Sequence, residues 1–221
     1  ANIGKNRLCR NNGDGTFTDV FEEAETGGNE WTSSGVLADV NGDSLPDLYC
    51  VNYLGGDDVF DRACHREGRP VQCPLHFFPS AQDRLYLNLG DGRFQETTET
   101  SGIAIPDGKG MGIVAANFHR SDRLSLFVAN DDKPNFFFVD QASRTNAAVS
   151  YSEIGVRSGL AFGEFGTSQS CMGIAAGDAN NDGLLDLFVT NFTGEPDNLF
   201  VHKPGVIFED LSRQSGLHLA T

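Results

Sequence analysis

Gly173-Ile174-Ala175-Ala176-Gly177-Asp178-Ala179-Asn180-Asn181-Asp182-Gly183-Leu184-Leu185-Asp186-Leu187-Phe188-Val189-Thr190-Asn191-Phe192 is the stretch on which the fold turns. A run of small apolar residues enters a carboxylate-rich loop, and an alternating apolar strand leaves it. The same pattern occurs earlier as Ser34 to Tyr53, with Asp39, Asn41, Asp43 and Asp47 in the places of Asp178, Asn180, Asp182 and Asp186. A third copy, Gly112 to Asn130, keeps both strands but loses the acids. Asn117, His119, Ser121 and Ser125 stand at the four positions, and Asp122 lies one place out of register. Such self-similarity marks a repeat architecture, here with a unit of about 60 to 75 residues.

A second unit follows each loop. It reads Asp83-Arg84-Leu85-Tyr86-Leu87-Asn88-Leu89-Gly90-Asp91-Gly92-Arg93-Phe94, and an earlier copy runs from Asn6 to Phe17. Looser copies are Pro134 to Val139 and Asp197 to Phe208. Gly-Asp-Gly between alternating apolar residues predicts a hairpin, because the tight turn needs positive φ. Each unit closes on a Ser-Gly turn: Ser101-Gly102, Ser158-Gly159 and Ser215-Gly216. No amphipathic helix of three turns is visible. The expected fold is therefore all-β, built of β-propeller blades of four antiparallel strands. Residues 5–27 supply a half blade, 31–103 a blade with an insertion at 54–81, 108–160 a blade with a degenerate loop, and 170–217 a last blade. Closed propellers need four or more blades, so these read as part of a larger ring or of a complex.

The two intact loops place oxygen side chains at positions 1, 3, 5 and 9, counting from Asp39 or Asp178. Calcium takes 6–8 hard oxygen ligands, carboxylates and backbone carbonyls included. The expected ligands are Asp39, Asn41, Asp43, Leu45 (by its carbonyl) and Asp47, and Asp178, Asn180, Asp182, Leu184 (by its carbonyl) and Asp186. Gly183 at position 6 suits a sharp turn, and Ser44 is a less permissive substitute. An EF-hand needs a bidentate Glu at position 12 and flanking helices. Cys50 and Val189 stand there instead, and both flanks read as strand. The plainer alternative is a polar turn with Asx caps.

Composition narrows the field. The chain has 221 residues and a formal net charge of −15. That charge repels phosphate backbones and anionic lipid, which argues against nucleic-acid and membrane-surface partners. No apolar run approaches the roughly 20 residues of a membrane span. The first residues, Ala1-Asn2-Ile3, lack a methionine and are read as processed or as part of a longer polypeptide. Of five cysteines, Cys64 and Cys73 lie close together in a Pro/Gly-containing loop and are expected to form a disulfide, which implies an oxidising compartment. His65 and His76 nearby would complete a zinc set, but the spacing is not a usual one. No nucleophile motif, Walker A loop or haem-attachment motif is present. His119, His202 and His218 read as surface residues, and Trp31 and the many Phe as core between blades. Asn191-Phe192-Thr193 matches a glycosylation sequon, but Asn191 recurs as Asn52 and Asn130, which points to a structural role.

These loops resemble the FG-GAP/VCBS repeat family, whose calcium loops read Asp-x-Asn-x-Asp-Gly-x-x-Asp-Leu; integrin α-subunit propellers use related repeats. Arg84-Leu85-Tyr86-Leu87-Asn88-Leu89-Gly90-Asp91-Gly92, Val128-Ala129-Asn130-Asp131 and Met172-Gly173-Ile174-Ala175-Ala176-Gly177-Asp178 are similar to phrases of bacterial VCBS proteins related to cartilage acidic protein, which often carry an ASPIC/UnbV domain. The resemblance implies about three and a half blades of a seven- or eight-bladed propeller, two Ca2+ ions, and a secreted, periplasmic or cell-surface location. The expected function is non-catalytic binding of a protein or glycan. The competing readings are a polysaccharide lyase or hydrolase with its site in other blades, and a structural subunit of a larger assembly.

Overall fold

A computed structural model describes residues 2–118, 123–141 and 148–217. The fold is all-β with curled antiparallel sheets, as partial propeller blades require. Blade A consists of β4 (Trp31–Ala38), β5 (Asp47–Asn52), β8 (Arg84–Asn88) and β9 (Phe94–Glu96), with β1 (Asn2–Ile3) paired along β4. Blade B consists of β10 (Gly110–Ala116), β11 (Ser125–Lys133), β12 (Phe136–Asp140) and β13 (Tyr151–Glu153). Blade C consists of β14 (Gln169–Gly177), β15 (Asp186–Asn191), β16 (Asn198–Lys203) and β17 (Ile207–Asp210). Ahead of them, β2 (Cys9–Asn11) and β3 (Phe17–Asp19) form a separate hairpin. Blades B and C are stitched together where β11 pairs with β14 at Asp131–Ser170.

The core lies between blades rather than within them. Leu126, Val128 and Phe138 of blade B meet Tyr49, Val51 and Leu85 of blade A. Phe127, Ala129 and Phe137 on the other face meet Leu187, Val189 and Phe200 of blade C. The middle blade is thus covered twice, and Leu126 to Ala129 are buried without alternation. In β5 and β15 every second residue is only half-buried, since each has one blade against it. Burial on both faces is what makes a strand read as a continuous apolar run.

The expected Ser-Gly turns are in fact single helical turns: α1 (Thr98–Ser101), α2 (Gly155–Ser158) and α3 (Ser212–Ser215). Each ends on a glycine with φ near +80°, at Gly102, Gly159 and Gly216. Left-handed backbone at the end of a helix is where glycine is favoured. A Cβ on Gly102 would lie 2.2 Å from the Tyr151 carbonyl oxygen of the next blade, and one on Gly159 would lie 2.5 Å from that of Phe208. These glycines therefore also let neighbouring blades approach.

The insertion carries β6 (Cys64–Arg66), β7 (Arg69–Val71) and a 3-10 turn at Leu75–Phe77. Cys64 and Cys73 form the disulfide, so their sulfurs are not available to zinc. Phe78 and Leu54 anchor the insertion on Tyr53. Trp31 belongs here and not between blades: its ring meets Tyr53 edge-on at 5.3 Å and Phe60 at 6.0 Å. The difference arises because β4 begins at the blade's end, where the insertion folds over.

Candidate functional site: two equivalent acidic loops

The two intact loops fold alike and share most of their internal hydrogen bonds. In the first, Asp39 accepts backbone N–H bonds from Gly42 (2.7 Å), Asp43 (3.1 Å) and Ser44 (2.8 Å). Asn41 Oδ1 accepts from the Asp43 N–H at 3.0 Å, and Asp43 Oδ1 from that of Leu45 at 2.8 Å. In the second, Asp178 accepts from Asp182 (3.1 Å) and Gly183 (2.8 Å). Asn180 Oδ1 takes the Asp182 N–H at 2.9 Å, and Asp182 Oδ1 that of Leu184 at 2.8 Å. In both, the Asn amide donates to the following Asp at 2.9 Å.

Position 9 ties the loop to the sheet. Asp47 accepts from the Val40 N–H and from the Asn88 N–H of β8, each at 2.9 Å. Asp186 accepts from the Ala179 N–H and from the His202 N–H of β16, again at 2.9 Å. Both aspartates are buried. Burial pushes the Asp47 carboxyl above its usual range against the pull of those two N–H bonds, and the nearby negative charges of Asp43 and Asp39 push the same way. In the other loop, the Gly183 and Asp182 N–H bonds hold the Asp178 carboxyl below its usual range.

By donor type the loops suit a hard divalent cation, since they offer only oxygens. Carboxylate oxygens that accept one N–H keep lone pairs for a metal. Among the described residues, however, no three His, Cys, Asp or Glu side chains already converge as a metal cage. The carboxylates here serve first as acceptors for their own turn.

The middle loop departs from the pattern. His119, Ser121 and Asp122 lie outside the described residues, as does His218. Asn117 is exposed, and Ser125 is buried at the place of Asp47. The acid has moved across the ladder to Asp140, which occupies the position of Asn88 in β12. Arg123 stands 3.6 Å from it. Arg123 also reaches the Val40 carbonyl of the first loop at 3.5 Å. A fixed cation in the chain thus lies beside the first acidic loop, which the sequence reading missed because Arg123 belongs to a different blade.

Other sites resolve as structural. His202 is buried, not on the surface: its ring stacks on Phe208 at 4.5 Å, and Nε2 lies 2.9 Å from the Gly205 carbonyl. It replaces Asn88 of the first repeat at an inter-blade position. Asn191 is buried and donates to Asn198 Oδ1 at 2.7 Å. Asp83 is buried and accepts from the Asn52 N–H (2.7 Å) and the Tyr49 hydroxyl (3.0 Å). Burial raises its carboxyl to about 7. No helix among the described residues is long and apolar enough to cross a membrane.

Comparison with known proteins meets the geometry at its first loop. Residues 1–50 match the family described as FG-GAP-like repeat, a span that runs from the β2–β3 hairpin through the Asp39–Asp47 loop into β5. Cartilage acidic protein 1 of Mus musculus is 25% identical over 107 residues, which is 48% of this chain and 15% of that protein. The Xenopus tropicalis protein of the same name gives the same figures. The aligned stretch therefore spans well under two thirds of either relative. Residues 1–50 are thus similar to an FG-GAP-like repeat, and about half of the chain has a distant likeness to cartilage acidic protein 1.

Proposed function

We infer that this chain is a non-catalytic, calcium-stabilised propeller module that binds a protein or glycan outside the reducing cytoplasm. The observation that carries the reading is the duplication of one oxygen-only loop, in equivalent blade positions and with the same internal hydrogen bonds. A polar turn needs only one or two such acceptors, whereas Asp, Asn, Asp and Asp in register give the set a hard cation requires. Calcium there would offset the mutual repulsion of Asp39, Asp43 and Asp47, and would lock the connection between the first two strands of blades A and C. The Cys64–Cys73 disulfide supports an oxidising compartment. The FG-GAP-like repeat is a general protein-interaction scaffold, and the insertion, with Phe60, Val71 and Phe77 exposed, is a surface a partner could use.

Calorimetric titration of chelator-treated protein with calcium tests the reading. Two binding events are expected, with one lost in Asp43→Ala and the other in Asp182→Ala. Equal heats for wild type and both variants would contradict it.

A further inference from the structure

We propose that a cleft at the β15–β16 turn of blade C receives the guanidinium of an arginine side chain from a partner protein. The proposal rests on the reading of the chain as a protein-binding module and names one residue type of the partner. It does not depend on whether the loops hold calcium.

The three blades treat one position differently. Arg84, Phe136 and Asn198 are repeat equivalents, standing opposite Cys50, Val128 and Val189 of the neighbouring strands. In blade A the Arg84 guanidinium lies between two carboxylates. Its Nε donates to Glu30 at 3.1 Å and its Nη1 to Glu96 at 3.0 Å. In blade B the Phe136 ring fills the place, so close to Gly108 that no Cβ would fit there. A planar side chain of the chain itself thus plugs the site in both blades. Blade C has only the short amide of Asn198, and a cavity of about 160 Å³ stands beside it.

The walls of this cavity suit a guanidinium. Gln169 holds the place of Glu30, two residues ahead of the Cys171–Asn191 pair as Glu30 is ahead of Thr32–Asn52. Asp210 holds the place of Glu96, opposite Phe200 as Glu96 is opposite Tyr86. Glu195 adds a further carboxylate, and all three line the cavity. Gln169 Nε2 donates to the Pro196 carbonyl at 2.9 Å, and Glu195 Oε2 accepts the Ser170 N–H at 2.7 Å. Those bonds fix both groups and leave Gln169 Oε1 and Glu195 Oε1 without a donor among the described residues. Arg213 does not line the cavity and is paired with Glu164 at 2.7 Å. Phe165, 72% exposed, offers the stem of an incoming side chain an apolar contact. Unpaired oxygens around a place that its equivalents fill with a planar group match the fork of donors that arginine carries.

The probes are N-acetyl-arginine amide and the pentapeptide Gly-Gly-Arg-Gly-Gly, titrated into the whole chain while the backbone amides of Gly163, Ser170 and Gly194 are followed by NMR. N-acetyl-citrulline amide, of the same shape without the charge, is the control. Both arginine probes should give saturable shifts confined to these amides and their neighbours, and the citrulline amide none. Glu195→Gln keeps an acceptor for the Ser170 N–H and should weaken binding roughly fivefold. Asn198→Arg refills the cavity as Arg84 does in blade A and should abolish binding. In that variant Asn191 keeps its bond to the Pro196 carbonyl, as Asn52 keeps its bond to that of Gln82 beside Arg84. Absence of saturable shifts, equal shifts with the citrulline amide, or undiminished affinity in Glu195→Gln overturns the proposal. So does binding of the arginine amide but not of the pentapeptide, since the site would then take a free guanidino compound. None of these results bears on the calcium titration, so the two readings fail separately.

Discussion

The loops at 39–47 and 178–186 share most of their internal hydrogen bonds but not their surroundings. Val40 and Asn41 are buried under blade B, with Arg123 at hydrogen-bonding distance from the Val40 carbonyl. Ala179 and Asn180, the same places in the last blade, are exposed. The loop's shape is therefore written locally, in Asp, Asn and a residue able to adopt positive φ. Its protection and its electrostatics come from whichever blade stands next to it.

The comparison between covered and uncovered blades makes measurable claims. The largest concerns Asp83, held near 7 by burial. Its folded-state value lies above the unfolded value of about 3.9, so its stabilisation is complete below about pH 4 and is lost as pH rises toward 7. The decline should reach at most about 4 kcal/mol across that window. Asp83→Asn, the residue blade B uses as Asn135, should flatten this part of the profile in denaturant melts at stepped pH. An unchanged slope would place the titrating group elsewhere. Next come the inter-blade glycines. Gly102→Ala and Gly159→Ala combine left-handed backbone with a Cβ inside a neighbour's carbonyl, and each should cost about 3 kcal/mol. Gly216→Ala meets nothing within 4 Å and should cost about 1 kcal/mol. Equal costs at all three would mean that blade approach contributes nothing. The smallest effect separates the two loops themselves. Ser44 sits at φ 70° where Gly183 sits at 81°, so Ser44→Gly should stabilise by about 0.5–1 kcal/mol in thermal unfolding.

Much of this was legible from residues alone. The spacing Asp39, Asn41, Asp43, Asp47 and its copy located the turns between strands, and Gly-Asp-Gly located the hairpins. What stayed hidden depends on contacts between repeats. Ser101-Gly102 reads as a turn, yet it ends a helical turn because blade B's Tyr151 carbonyl packs against it. His202 carries a polar side chain on a strand that could face solvent, and only the stacking on Phe208 decides otherwise. Trp31 looks like core for an adjacent blade, but the insertion, far along the chain, claims it. Arg123 sits in the degenerate repeat and acts beside a loop from another blade, so no reading of either repeat by itself would connect them.

The most direct measurement is thermal unfolding of chelator-treated protein with and without added calcium, on wild type, Asp43→Ala, Asp182→Ala and the double variant. Binding to the native state alone should add about 2.7 kcal/mol per site at a hundredfold excess over the dissociation constant. The account predicts a calcium-dependent rise in Tm that shrinks in each single variant and vanishes in the double one. Identical melting with calcium and with chelator in the wild type would show that both loops are hydrogen-bonded turns and nothing more.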